Sequence, residues 1–501
     1  MYTYQLFLGH NDQSRLEFYK QYIDLPREYQ NAETVAKLRG VSTTSVYRMI
    51  QIIGDELNEL RVSKGAAPVA HTEPISRRFN IPAPCYAVYL MRQSIVGEFL
   101  CAVMQHPDWT VKEFADAQGT STATVFRRTK ALSEMLKQYD LRLNYNPISI
   151  NGNEMVVRIT LSEILWQICQ DGVDLFPELG DLPEQTALRL EKAQLVMPNF
   201  NHRRLRLICA VNIIRANSKH PLNSLRPLDE IITITGFKPA LNHMPDFVSD
   251  FPNTIALIHL ETMLCAGFHT HDDELLSRFI GYHARLNTAD WQLVSLIQRR
   301  MHTVAGVNAH MLDNQVLVGN ILSVTVAMNI LGVGVPVLEP VVVPVGSASP
   351  SSLENMLKQI FATLPGHLQG FRKIQTPLTR RITPLLATAL PDAKRHVRIY
   401  IDETMDHQEY AAIEASLTQM PAVQLVHSES VARLIITADM TKVSDPRVDK
   451  SKYFYFSISS YSSWLSLEHY IHYLAVHEKG IKTGSGIDYT YIDEDLAVAE
   501  D

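Results

Sequence analysis

Two short runs of side chains have the types and the spacing to meet nucleic acid. In the first, Thr43, Thr44, Ser45, Arg48 and Gln51 recur at intervals that set them along one side of a helix. In the second, Thr122, Thr124, Arg127, Arg128 and Lys130 crowd one helical stretch, with Thr124 and Arg127 three apart on its outward side. Arginine and lysine bring fixed positive charge to phosphates, and an arginine fork can bridge the two acceptors of a guanine edge. Hydroxyls and an amide add polar contacts beside them.

The elements that must carry these residues are legible around them. Val35 to Ile53 reads VAKLRGVSTTSVYRMIQII, and Phe114 to Leu132 reads FADAQGTSTATVFRRTKAL. Each run predicts a short helix ending at glycine, a tight turn, and a second helix starting at once: the helix-turn-helix, whose second helix can lie in a major groove. Shifted by 79 positions, the runs match at Ala36/Ala115, Gly40/Gly119, Ser42/Ser121, Thr43/Thr122, Val46/Val125 and Arg48/Arg127, with Tyr47 against Phe126. Glycine suits the left-handed turn. Ser42 and Ser121 are placed to cap the second helix. Val46 and Val125 are expected to face inward, and Arg48 and Arg127 outward with Ser45 and Thr124. One such match fits an ordinary helical hairpin; two with one spacing favour DNA.

With 501 residues, 46% hydrophobic and 20% charged, the chain has the length for several domains and the composition of folded ones. A net charge of −7 argues against a nonspecific DNA coat. The charge is uneven: residues 1–145 hold 17 Lys and Arg against 15 Asp and Glu, the remainder 29 against 38. DNA contacts are therefore expected from a local basic surface near the N-terminus. Five scattered cysteines (Cys85, Cys101, Cys169, Cys209, Cys265) form no CxxC pair and read as buried thiols in a reducing cytoplasm. The opening MYTYQLFLGHNDQSR is not expected to be a signal peptide. Val316 to Val345 is the most apolar run, but its asparagines and prolines predict a buried helix and a proline-rich loop rather than a membrane span.

In chain order, residues 11–30 predict a supporting helix, and Tyr86 to Gln105 another. Between the two helix-turn-helix units, residues 64–84 hold four prolines and read as a linker. LRLNYNPISINGNEMVVRIT, Leu141 to Thr160, alternates apolar residues and sets Asn151-Gly152 between two strand-like runs, a hairpin signal. A hairpin after a recognition helix is a wing; it either touches the duplex or only covers the core. From Leu161 to about Leu390 the three-and-four periodicity predicts packed helices in two bundles, divided near Asn287. Then VRIYID, VQLVHS, ARLIITAD and KYFYFSIS alternate with helices to predict a small α/β domain. The fold class is thus multidomain and mainly α. A first helix-turn-helix domain spans 1–63, the linker 64–84, a second, winged unit 85–160, helical bundles 161–286 and 287–390, the α/β domain 395–480 and an acidic tail 481–501.

The sequence has no GxxxxGK[ST], HExxH or GxSxG signature, so no enzyme is expected. His269 and His271 sit near Asp272 and Asp273, but no third distant ligand is evident, so neither metal nor cofactor is expected. Several histidines in the helical region could accept a phosphoryl group and re-pair with nearby arginines. His202 precedes Arg203, Arg204 and Arg206; His302 follows Arg299 and Arg300; His220, His243 and His310 are further candidates. Each also fits an ordinary surface or capping histidine.

This order of parts, with GVSTTSVYR (40–48), GTSTATVFR (119–127) and NPISINGNE (146–154), resembles the Mga/AtxA-like virulence transcriptional regulators of Gram-positive bacteria. The resemblance implies that the bundles are regulation domains of the sugar phosphotransferase system, phosphorylated on histidine by its phosphocarrier protein. It further implies that the terminal domain is enzyme IIB-like and dimerises, and that the chain activates transcription at promoter DNA. His202 sits at about the expected place in the first regulation domain, with His302 or His310 in the second. One departure is clear: the loop DETMDHQEY (402–410) lacks the cysteine that carries phosphate in enzyme IIB proteins. An RNA-binding antiterminator with the same regulation domains is the alternative, although such proteins begin with a β-rich module and this chain begins with helices.

Overall fold

The computed structural model describes residues 3–25, 30–218, 220, 222, 225–237, 252–265, 267–270, 274–303, 312–338, 350–387, 397–420, 423–439, 442, 452–456, 464, 466–468, 470–471 and 474. The fold is mainly helical, with one two-stranded and one four-stranded sheet among the described residues. It divides into two compact units. One holds Met1–Trp291, Gly319–Pro340 and Gln369–Leu378; the other holds Gln292–Val318, Val341–Leu368 and Thr379–Asp501.

The first unit opens with α1 (Thr3–Phe7), α2 (His10–Asp24), α3 (Ala32–Arg39), α4 (Thr43–Ser63), the single turn α5 (Ile75–Arg78), α6 (Ala83–Arg92), α7 (Ile95–Gln105), α8 (Val111–Ala117) and α9 (Thr122–Lys137). Strands β1 (Arg142–Tyr145) and β2 (Ile148–Asn151) follow, then α10 (Glu154–Cys169). One apolar core runs through all of them. The Tyr19 ring packs 5.2 Å from Phe79 and 5.0 Å from Tyr86, and Phe99 meets Phe114 edge-on at 5.1 Å. Aromatic edges and faces attract at such distances, which adds to the area buried.

Several sequence expectations change here. The helix expected from Tyr86 to Gln105 is two, α6 and α7, bent by 57°. Ser94 caps α7 by accepting from the Gly97 N–H at 3.1 Å, and a Cβ on Gly97 would stand 2.4 Å from the Met91 carbonyl oxygen. The bend thus needs both residues. The 64–84 segment is bound to α4: Asn58 exchanges two 2.9 Å hydrogen bonds with the Val69 backbone, and buried Arg61 donates to the Arg78 carbonyl at 2.6 Å. The hairpin is real but shifted. Its turn is Asn146-Pro147, with Tyr145 opposite Ile148 and Arg142 opposite Asn151. The run expected as the second strand is the start of α10, because Asn153 caps that helix at the Met155 N–H and ends the extended chain just past Gly152. The boundary set at 160/161 consequently falls inside α10.

α10 is buried along almost its whole length. Buried Arg158 binds Glu154 at 2.9 Å, Asn212 and Thr254 at 3.1 Å each, and the His220 carbonyl at 2.8 Å. Those bonds reach α12, α14 and the segment after α12, among the helices that follow in the chain: α11 (Leu182–Lys192), α12 (His202–Asn217), α13 (Leu228–Thr235), α14 (Pro252–Met263), α15 (Glu274–Leu286) and α16 (Ala289–Met301). The apolar run from Val316 begins as expected, within α17 (Gln315–Leu331), whose buried Asn320 exchanges two bonds with the Phe268 backbone, 2.9 and 2.8 Å. No single described helix is long and apolar enough to cross a membrane. α18 (Pro350–Ala362) and α19 (Gln375–Ala387) follow. Both α13 and α19 lie in the stretch expected to be helical, and α19 continues through Pro384.

In the second unit, β3 (Val397–Ile401), β4 (Val423–Leu425), β5 (Leu434–Thr437) and β6 (Tyr453–Tyr455) pair in the order β4-β3-β5-β6, all parallel. Helix α20 (His407–Thr418) packs its Ile413 and Leu417 into the sheet's core. A parallel sheet is buried, and LIIT of β5 is buried at every position. Of the cysteines, Cys169 and Cys209 are buried, whereas Cys85, Cys101 and Cys265 are only partly so. The tail 481–501 lies outside the described residues.

Candidate nucleic-acid interface

The two helix-turn-helix units are built by the same bonds. In the first, Gly40 takes φ +62, its N–H reaches the Lys37 carbonyl and the Val41 N–H reaches the Ala36 carbonyl at 3.1 Å. In the second, Gly119 takes φ +59, its N–H reaches Asp116 and the Thr120 N–H reaches Ala115 at 2.9 Å. The next residue caps the recognition helix in each: Ser42 Oγ accepts from the Ser45 N–H, and Ser121 Oγ from the Thr124 N–H, both at 3.2 Å. Val46 and Val125 are then 1% and 0% exposed. The sequence expectation for glycine, serine and valine holds in both copies.

The inward valines fix what faces out. Thr43, Thr44, Ser45, Arg48 and Gln51 are all exposed on α4. On α9, Arg127 and Lys130 are exposed, and Thr122, Thr124 and Arg128 half-buried. Arg48 and Arg127 have no hydrogen bond or ion pair among the described residues, so their charge is free for a partner. Lys130 pairs loosely with Glu134 at 3.8 Å, an exposed contact of little strength. Ser45 and Thr124 lie 2.9 and 3.0 Å from the capping hydroxyls of Ser42 and Ser121. Arg128 is placed differently from its neighbours. Its guanidinium folds against Gly9, ahead of α2, where a Cβ would stand 1.5 Å from Nη1. It thereby fills space that only glycine leaves open.

The hairpin braces the second recognition helix. Leu143, Ile148 and Ile150 cover its core side, and the Ile148 N–H donates to the Trp109 carbonyl at 2.7 Å ahead of α8. Tyr145 meets Phe126 of α9 edge-on at 4.6 Å. Phe126 and its counterpart Tyr47 are nonetheless exposed, a feature present in the sequence match but not counted there among the contact residues.

Of the histidine candidates, His202 is the first residue of α12. Its Nδ1 is 2.8 Å from Glu191 and its Nε2 2.9 Å from Glu184. The hydrogen bond to Glu191, helped by that to Glu184, raises its pKa and favours the imidazolium. Arg204 and Arg206, expected to await a phosphate, are paired with Glu163 and Asp174. In the second unit, His302 Nε2 lies 2.7 Å from Asp313. His220 is half-buried, its pKa lowered first by burial. His310 and His243 lie outside the described residues, as do His271, Asp272 and Asp273.

Residues 86–164 match the model of the Mga helix-turn-helix domain. The match takes in most of α6, α7 to α9, the hairpin and most of α10, that is, the second helix-turn-helix and its brace. It supports DNA binding and a role in transcription regulation. The first helix-turn-helix lies outside the matched residues. No curated protein matches the chain.

Proposed function

We propose that the chain is a cytoplasmic transcription regulator of the Mga/AtxA type that grips promoter DNA with both helix-turn-helix units. The observation that carries this reading is the repeated, bond-for-bond construction that leaves Arg48 and Arg127 exposed and unpartnered at one position of two recognition helices. Thr43, Thr44, Ser45, Gln51, Thr122, Thr124, Arg127 and Lys130 complete the contact set, and Arg128 supports it from behind. The match over residues 86–164 supports the second helix-turn-helix directly.

The finer reading is that α11 to α19 form two regulation domains, 161–286 and 287–390, phosphorylated on His202 and on His302 or His310 by the phosphotransferase-system phosphocarrier. The 395–480 domain is enzyme IIB-like and pairs two chains, and the assembly activates transcription. Support comes from the helical content of that stretch, the positions of half-buried His202 and exposed His302 at helix ends, and the parallel sheet with its helix. With both ring nitrogens held by carboxylates, His202 accepts a phosphoryl group only after Glu184 or Glu191 lets go.

The test is a salt-titrated binding assay of the full chain on promoter-length duplex DNA. Affinity that falls steeply with salt supports phosphate contacts; no binding at low salt overturns the reading. Incubation with phosphorylated phosphocarrier, wild type against His202→Ala and His302→Ala, tests the regulatory part. Label that both variants retain in full excludes those two sites.

A further inference from the structure

Among the described residues, Tyr47 and Phe126 are the aromatic members of the exposed large apolar set, at 62% and 45% exposure. A lone exposed ring needs no explanation. These two occupy the same position of two recognition helices, the fifth residue after the serine cap. Each follows a buried valine and precedes an unpartnered arginine. The repeat therefore keeps an aromatic ring outward twice, on the stretch of helix that a major groove would receive.

The surroundings hold the ring in place without covering it. Tyr145 stands edge-on to Phe126, 66° between planes, and its hydroxyl is fixed by Thr129 at 2.8 Å. A braced ring loses little freedom on binding, and an apolar partner meets it without leaving a polar group desolvated and unpaired. In the major groove the apolar feature of the base edges is the C5 methyl of thymine. The arginine next along the helix supplies the charge that brings phosphates or guanine edges to the same place.

We propose that Tyr47 and Phe126 are specificity-determining residues that read thymine methyl groups in the major groove, one per recognition helix. This rests on the duplex-binding reading above. It adds a preference for A·T pairs, carried by an apolar contact beside the hydrogen bonds of the polar residues.

The experiment uses the full chain and one promoter-length, A·T-rich duplex in two forms, with thymine and with deoxyuridine at every T. Removing a buried methyl is expected to weaken binding by about fourfold per contact. Tyr47→Ala and Phe126→Ala should each lose part of the thymine preference, and Tyr47→Phe, which keeps the ring, should retain it. Circular dichroism confirms that each variant is folded; Phe126→Leu replaces Phe126→Ala if the alanine variant is not. Equal, salt-sensitive binding to both duplexes overturns this inference and leaves duplex binding standing. A preference that survives in the double variant assigns the methyl to another residue and also overturns it. Rings that instead join two copies would lower the sedimentation coefficient of the alanine variants without touching the thymine preference, which overturns it too. Failure to bind either duplex overturns the underlying reading, and this one with it.

Discussion

Tyr145 of the hairpin donates its hydroxyl proton to Thr129 of the recognition helix across 2.8 Å. The direction follows from Thr129, whose own proton goes to the Val125 carbonyl at 2.8 Å. The hairpin is therefore fastened to α9 by a directional bond as well as by apolar packing. Tyr145→Phe keeps the ring on Phe126 and removes this bond alone. The expected loss is about 1 kcal/mol in chemical unfolding. An unchanged midpoint would mean that the hairpin merely rests on the helix.

The turn glycines allow a clean comparison. Gly40 and Gly119 have φ near +60°, and a Cβ on either would meet nothing within 4 Å. Substitution by alanine then tests backbone strain without a clash. Each Ala variant should lose about 1 kcal/mol, and by similar amounts because the two turns share their bonds. A large loss at one position only would show that the copies are held differently.

On DNA, the arginines of α9 should separate although they are adjacent. Arg127→Ala and Arg48→Ala each remove a free, exposed charge and should cost about 1–3 kcal/mol if a base is read, or lower the salt slope by about one if a phosphate is met. Arg128→Ala should cost less on DNA and more in folding, because its guanidinium packs on Gly9. Fluorescence anisotropy across a salt series, paired with urea unfolding, distinguishes these. Equal DNA losses for Arg127 and Arg128 would overturn the distinction.

That distinction shows where sequence reading stops. Caps, turn glycines and inward valines were legible because each is a local device: the residue and its bond partner sit within a few positions. Arg128 was not, since its partner Gly9 is 119 positions away. The hairpin was placed in the right stretch but turned at the wrong dipeptide. Asn151-Gly152 carries the usual turn chemistry, yet Asn153 captures the next N–H and starts a helix whose β-branched residues, Val156, Val157 and Ile159, read as strand. The 64–84 segment looked loose because prolines erase periodicity; only the long-range bonds of Asn58 and Arg61 reveal it as packed. The strands of the α/β domain were readable from their apolar runs, and so was α20 between them; their parallel pairing was not.

A buried ion pair ties the end of α6 to the segment after α10. Arg92 grips Asp171 with Nη1 at 2.8 Å and Nη2 at 3.2 Å, and the Asp171 side chain is 1% exposed. Asp171→Ala leaves a largely buried guanidinium without its carboxylate. The expected cost is about 3–5 kcal/mol, since an unpaired buried charge is penalised more than the pair was worth. Arg92→Met with Asp171→Leu, which removes both charges, should recover much of it. An Asp171→Ala variant as stable as wild type would show that neither Arg92 nor Lys64, 3.7 Å from the same carboxylate, depends on it.

Histidines pull the stability of the first unit in opposite directions with pH. His202 is held protonated, first by its bond to Glu191, so its folded pKa lies above the unfolded value of 6.5. Its contribution is complete below 6.5 and is lost as pH rises through the folded value. His259 and His283 are the reverse. Burial pushes both down to about 4, so the unfolded chain takes up protons that the folded one refuses between about 4 and 6.5. Their contribution is complete above 6.5 and is lost as pH falls through that window. Asp402 adds nothing there. Burial pushes its carboxyl up, but Lys442, Thr437 and Thr404 outweigh that and hold it at about 2, so its own loss comes in stronger acid and in the second unit. Urea unfolding across this range should show a maximum near the unfolded histidine value. His202→Gln should flatten only the alkaline limb, and His259→Gln only the acid one. An alkaline limb unaltered in His202→Gln would mean that the two glutamates do not hold the imidazolium in the folded chain.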